Sequence, residues 1–159
     1  MDRTELYLKT AFCCMACDGE IVPEEMEKIN TLSYFKGLDI HQILLDYLSQ
    51  LKKEGSVFLK NYLDEVKKAN LTELEECELT NIAIQTIEVD RTIEYNEVAF
   101  FKKLRKRLKA TDEVLLTTIP QNPNVEDQIA PEDYLLPDIT DEDDLTLWTD
   151  TFSTINVIV

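Results

Sequence analysis

Glycine is scarce in this sequence, and past residue 110 positive charge is missing altogether. Three glycines, Gly19, Gly37 and Gly55, in 159 residues leave no Gly-rich loop able to cradle a phosphate chain, and no nucleophile elbow, zincin motif or Ser/His/Asp set takes its place. Catalysis is therefore not expected. The single histidine, His41, falls near a helix start and reads as a surface or capping residue. No apolar run approaches the ~20 residues that span a bilayer, and no N-terminal stretch joins a basic start to an apolar run and a small-residue cleavage site, so the chain reads as cytoplasmic. Four cysteines, Cys13, Cys14, Cys17 and Cys77, lack the even spacing of a secreted disulfide framework, and reduced thiols are expected.

Charge divides the chain. Residues 1–110 carry 20 acids and 16 bases, whereas residues 111–159 carry 12 acids and no base, which accounts for the net −16. Such a C-terminal region is repelled by nucleic acid and anionic membrane and attracted to cations or basic protein surfaces.

The first region is periodic. Leu6, Leu8, Phe12, Met15 and Ala16 recur at helical spacing over residues 2–17, ending at Asp18-Gly19. Pro23 suits the first position of a second helix with stripe Met26, Ile29, Leu32 and Phe35, stopped at Gly37. Residues 39–53 place Ile40, Ile43, Leu44, Tyr47, Leu48 and Leu51 on one face, and residues 56–70 place Val57, Leu59, Tyr62, Leu63 and Val66 on another. Thr72 and Glu75 form a capping-box pattern opening a fifth helix to residue 89, with Leu74, Leu79, Ile82, Ala83 and Thr86 inward. A sixth is expected over residues 96–109, with Val98, Phe101, Leu104 and Leu108 inward, and a short seventh over residues 112–117.

Within this order a skeleton repeats. Ala11, Asp18, Ile21, Glu25 and Ile29 return 72 residues later as Ala83, Asp90, Ile93, Glu97 and Phe101. Each copy is an apolar helix ending at Asp, a bend carrying Ile, and a helix with Glu in its first turn, which reads as an internal duplication. Two Asp/Glu pairs on similar bends can converge into one acidic cluster. Hard cations such as Mg2+ or Ca2+ take several oxygen ligands of this kind, yet the same residues serve equally as turn and helix caps. Neither bend has the alternating acids of an EF-hand.

Ala16-Cys17-Asp18-Gly19-Glu20-Ile21 followed by Glu24-Glu25, with the looser copy at Asp90, Ile93 and Glu97, resembles the tellurite-resistance TerB-like domain over about residues 1–117. The resemblance implies an all-α domain of two similar halves, a non-enzymatic module of stress-response or phage-defence systems, and a divalent cation at the bends. By position its candidate ligands are Asp18, Glu25, Asp90 and Glu97. The second copy departs from the pattern, with Arg91-Thr92 where the first has Gly19-Glu20, so the Arg91 guanidinium can stand in for a cation.

Two other features have plain readings. Cys14-Met-Ala-Cys17 has the Cys-x-x-Cys form but lies within a helix without a second pair, so buried core thiols are expected. The bases Lys102, Lys103, Arg105, Lys106, Arg107 and Lys109 suit a solvated helix face or a nucleic-acid patch; a third reading has the acidic C-terminal region fold back onto them.

From Pro120 the character changes. Pro120, Pro123, Pro131 and Pro137 punctuate an acidic stretch without helical period, after which Leu145, Leu147, Trp148, Phe152, Ile155, Val157, Ile158 and Val159 are too apolar for a solvating tail. They are expected to dock on the body or on a partner, with Trp148 and Phe152 as partner-binding anchors. The expectation is thus an all-α single bundle of about six or seven helices with an internal two-fold pseudo-repeat (residues 1–117) and an extended acidic C-terminal tail (residues 118–159). Two functions fit: a TerB-like interaction or sensor module with a possible Ca or Mg ion, or an accessory or inhibitory subunit whose acidic tail binds a basic, nucleic-acid-binding protein. Direct nucleic-acid binding and a membrane span are not expected.

Overall fold

The computed structural model describes residues 3–88, 95–119, 131–136, 138, 140, 144–153 and 155–157. Its centre is the first helix, α1 (Arg3–Ala16), in which every residue from Leu6 to Ala16 except Lys9 is buried. A helix buried all round needs small residues where neighbours approach, and Ala11, Cys13, Cys14 and Ala16 supply them. Thr10, the polar exception, donates to the Leu6 carbonyl at 2.9 Å and hydrogen-bonds the Tyr62 hydroxyl.

Around α1 stand α2 (Pro23–Thr31), α3 (Ile40–Glu54), α4 (Ser56–Lys68), α5 (Glu73–Ile87) and α6 (Tyr95–Arg105), closed by a short α7 (Asp112–Leu116). The body is thus the expected all-α bundle, with seven helices among its described residues. Asp39 caps α3 through the Gln42 N–H, and Thr72 and Glu75 exchange their capping hydrogen bonds at α5. Asn70, at φ 50°, makes the left-handed turn between α4 and α5.

Several boundaries and faces differ from expectation. α2 stops at Thr31 because Leu32 turns to extended backbone, and Ser33–Phe35 forms a separate 3-10 turn that carries Phe35 into the core. In α4 the interior residue is Phe58, while Val57 is exposed; in α5 Leu74 is exposed and Glu76 is buried. The Glu76 carboxylate receives the backbone N–H groups of Lys109 and Ala110 at 2.7–3.0 Å. Those donors exist only because α6 ends at Arg105 instead of running to residue 109.

The described structure matches the repeat in helix starts and burial. α2 begins at residue 23 and α6 at residue 95, and the equivalents Ala11 and Ala83, Glu25 and Glu97, and Ile29 and Phe101 are all buried. α1 and α5 lie side by side, Arg3 on Glu75 at 2.7 Å and Tyr7 on Glu78 at 2.7 Å.

Among its described residues the C-terminal segment forms only short helices and turns, and these are applied to the body. α8 (Pro131–Tyr134) sets Tyr134 edge-on to Phe101 with ring centroids 5.9 Å apart. A 3-10 turn (Thr146–Trp148) and α9 (Thr149–Ser153) then bring Leu145, Trp148, Phe152 and Ile155 into the single core, α9 lying on α3. Finally β2 (Asn156–Val157) pairs in parallel with β1 (Glu20–Ile21) in the bend after α1. Gly19, at φ 88°, turns that bend, and a Cβ there would lie 3.4 Å from Thr151.

Candidate functional site

The residues expected to bind a cation fall into three situations. Asp18 accepts the Glu20 N–H at 2.9 Å, a local turn bond in the loop that β2 covers. Glu25 is 1% exposed, and its Oε1 accepts the Val22 N–H at 3.1 Å, closing the first turn of α2. Glu97, 0% exposed, occupies the equivalent place on α6. Asp90 lies outside the described residues.

Both buried glutamates come into electrostatic reach of one group, the Cys14 thiol on α1. Burial pushes that thiol well up, and Cys13 and the carboxylates of Glu97 and Glu25 push it further. Asp18 and Glu97 act likewise on Cys17. Of these acids, Asp18 and Glu25 make local capping hydrogen bonds. Among the described residues no group of three or more His, Cys, Asp or Glu side chains is arranged to hold a metal ion, and a cation at Glu25 has to compete with the Val22 N–H.

Cys13, Cys14 and Cys17 are buried thiols held protonated by their burial, unsuited to nucleophilic or redox work at neutral pH. His41 is exposed beside the α3 N-terminus.

The basic helix is not the open face that its sequence suggests. Lys103 is 3% exposed and its ammonium meets Asp138 at 2.9 Å and the Thr140 hydroxyl at 2.5 Å. Lys106 reaches the Thr140 carbonyl at 2.9 Å and Asp138 at 3.5 Å. Arg105 binds Asp112 and the Ala110 carbonyl, and Lys109 binds Asn70. The acidic segment thus folds back onto α6. Burial opposes ionisation of Asp138, but Lys103 and Thr140 outweigh it and hold the carboxyl well below the usual carboxylate range.

Beside this latch, α6 and the C-terminal segment enclose a cavity of about 460 Å3 lined by Val98, Ala99, Lys102, Lys103, Asp138 and Trp148 among others. Trp148 and Phe152, expected as anchors for a partner, are 0% and 1% exposed within this chain. The correction is physical. With anchors of this size already seated, a partner gains them only by emptying the core, at about 3–5 kcal/mol each.

Among the described acids of the segment, Asp138 is turned inward to Lys103 and two face solvent. Asp133 and Asp144 are exposed, as are Asp112 and Glu113 at the end of the body. Sequence reasoning missed Glu76 and the partner of Lys103. The only sequence signal for the second was charge complementarity. Among the described residues no helix is long and apolar enough to cross a membrane. Comparison with family models, curated proteins and solved structures finds no match.

Proposed function

We propose that this chain is a non-catalytic interaction module which offers an acidic face to a basic protein surface, as an accessory subunit of the stress-response or phage-defence kind implied by its TerB-like bends. One observation carries the reading: the C-terminal segment buries Tyr134, Leu145, Trp148, Phe152 and Ile155 while Asp133 and Asp144 stay in solvent. Asp133 and Asp144, in a region whose sequence holds no base, are thereby held at fixed positions on the surface. A fixed acidic face steers a basic partner and loses less entropy on binding than a free tail. Four cysteines unpaired with one another suit a cytoplasmic setting, which is part of the same proposal.

The test is titration of the full chain with a Lys/Arg-rich peptide at several salt concentrations. Binding should be strongest at low salt and weaken in the D133N/E113Q/D144N variant. Equal binding by that variant, or none at low salt, contradicts the reading.

A second reading is a divalent cation at the bends, supported by the burial of Glu25 and Glu97 at the same first-turn position of α2 and α6. It predicts a melting temperature raised by Mg2+ or Ca2+ over EDTA and a rise lost in an Asp18→Ala, Asp90→Ala double variant. An unchanged melting temperature assigns Asp18 and Glu25 to capping alone.

A further inference from the structure

A second concavity lies away from the C-terminal segment, between the first turns of α1 and the length of α3. It encloses about 560 Å3, with Leu8, Leu38, Ile43 and Tyr47 as apolar wall, and among the described residues the charged side chains on its lining are Glu5 and Asp46. Leu38 is 39% exposed, so part of that wall faces water. The surface is not built for an anion or for a wholly apolar guest.

Tyr47 adds an independent indication. It is 6% exposed and its ring packs on Phe12 at 5.6 Å and on Phe58 at 6.2 Å. Its hydroxyl has no hydrogen-bond partner among the described residues. A buried donor without an acceptor costs about 1–3 kcal/mol, and because the hydroxyl is closed to solvent an entering backbone carbonyl recovers that loss only by displacing the side chains that cover it. Burial, then the charge of Glu5, raises the tyrosine's titration far above neutrality, so the group there is a donor.

We infer that this groove is the docking site for a short amphipathic segment of a basic partner protein, with an apolar side chain on the Leu8, Leu38, Ile43 and Tyr47 wall and Lys or Arg side chains at Glu5 and Asp46. Charge decides between occupants: a second copy of this chain, itself at −16, brings net repulsion, whereas a basic segment brings attraction. The inference rests on the interaction-module reading and adds where the partner binds and what its segment looks like.

The experiment titrates the isotopically labelled full chain with a twelve-residue peptide of Leu at helical i, i+3 and i+4 spacing and Lys elsewhere, at low salt. Amide shifts should concentrate at residues 4–8 and 38–50. The E5Q/D46N variant, exposed substitutions whose folding is checked by circular dichroism, should bind at least tenfold more weakly, Tyr47→Phe a few-fold more weakly, and D133N/D144N more weakly than the unaltered chain but by less than E5Q/D46N, since those acids steer the peptide without lining the groove. Binding unaffected by E5Q/D46N but weakened by D133N/D144N overturns the groove and leaves the acidic-module reading standing. No binding at all overturns both. Equal binding of a Glu-for-Lys peptide, or a dimer in sedimentation that Leu38→Asp dissociates, also overturns the groove.

Discussion

Phe101 and Trp148 are both fully buried, yet they reach the core by different means. Phe101 is one of a series on α6, with Phe100 and Leu104 beside it, so the helix period holds neighbours in place if one is lost. Trp148 stands in a segment of short turns, between exposed Thr146, Leu147 and Thr149, and is held by scattered contacts and one buried ion pair. Helix period makes burial redundant, whereas a strap of isolated anchors makes each one matter. The strap also ties the two repeats together, through Lys103 on α6 and through β1 after α1.

Removal of residues 120–159 breaks the comparison most severely. It uncovers the surfaces under five buried side chains worth about 1.5–3 kcal/mol each, against a total stability of about 5–15 kcal/mol. Even with the strap's ordering entropy returned, the truncated chain should lose most of its cooperative urea transition. A truncated chain with an unchanged midpoint means that the body stands alone.

Trp148→Ala comes next. It should cost about 3–5 kcal/mol, while Val57→Ala, on an exposed apolar position of α4, should stay within about 0.5 kcal/mol. Equal urea midpoints for the two variants deny the strap its place in the core.

Lys103→Ala leaves Asp138 largely buried without its main counter-charge, and a loss of about 3 kcal/mol is expected. Lys60→Ala, which removes the exposed pair to Asp64 at 3.2 Å, should cost at most about 0.5 kcal/mol. Thermal melts of both variants separate a latch from a surface contact.

The smallest effect is a pH dependence of two signs. Asp138 titrates lower in the fold, so its contribution is complete above the ordinary carboxylate value of about 3.9 and is lost as pH falls below it. Burial raises Glu88 despite the hydrogen bond from Tyr134, so its contribution is complete below about 4.3 and is lost as pH rises through its folded value. Falling net negative charge acts in the same direction as Glu88. Melting temperature should therefore rise slightly from pH 7 to 5 and fall below about pH 4. A steady decline from pH 7 contradicts the assignment at Glu88.

Legibility in the sequence follows the same division. The helices, the Thr72 capping box, the Asn70 turn and the 72-residue repeat could all be read because each has a period or a local rule. The end of α2 and the exchange of Val57 for Phe58 could not, since neighbours decide which side of a broad apolar face is covered. Glu76 was hidden because its donors, the Lys109 and Ala110 N–H groups, exist only once α6 has ended. At the candidate site the matching first-turn places of Glu25 and Glu97 on α2 and α6 were legible from the repeat. The capping bond of Glu25 was one of two roles that a first-turn acid can take, and geometry alone reveals which it takes. The strap's anchors could be named from their hydrophobicity, but nothing in the order of residues said that they cover this chain's own core.

Trp148 is the chain's one tryptophan, so its fluorescence reports on the strap alone and tests its place in the fold most directly. The account predicts blue-shifted emission in the native chain, poor quenching by acrylamide, and a shift to the red together with the loss of helical circular dichroism on adding urea. Red-shifted, freely quenched emission from a chain that retains its helices would contradict it.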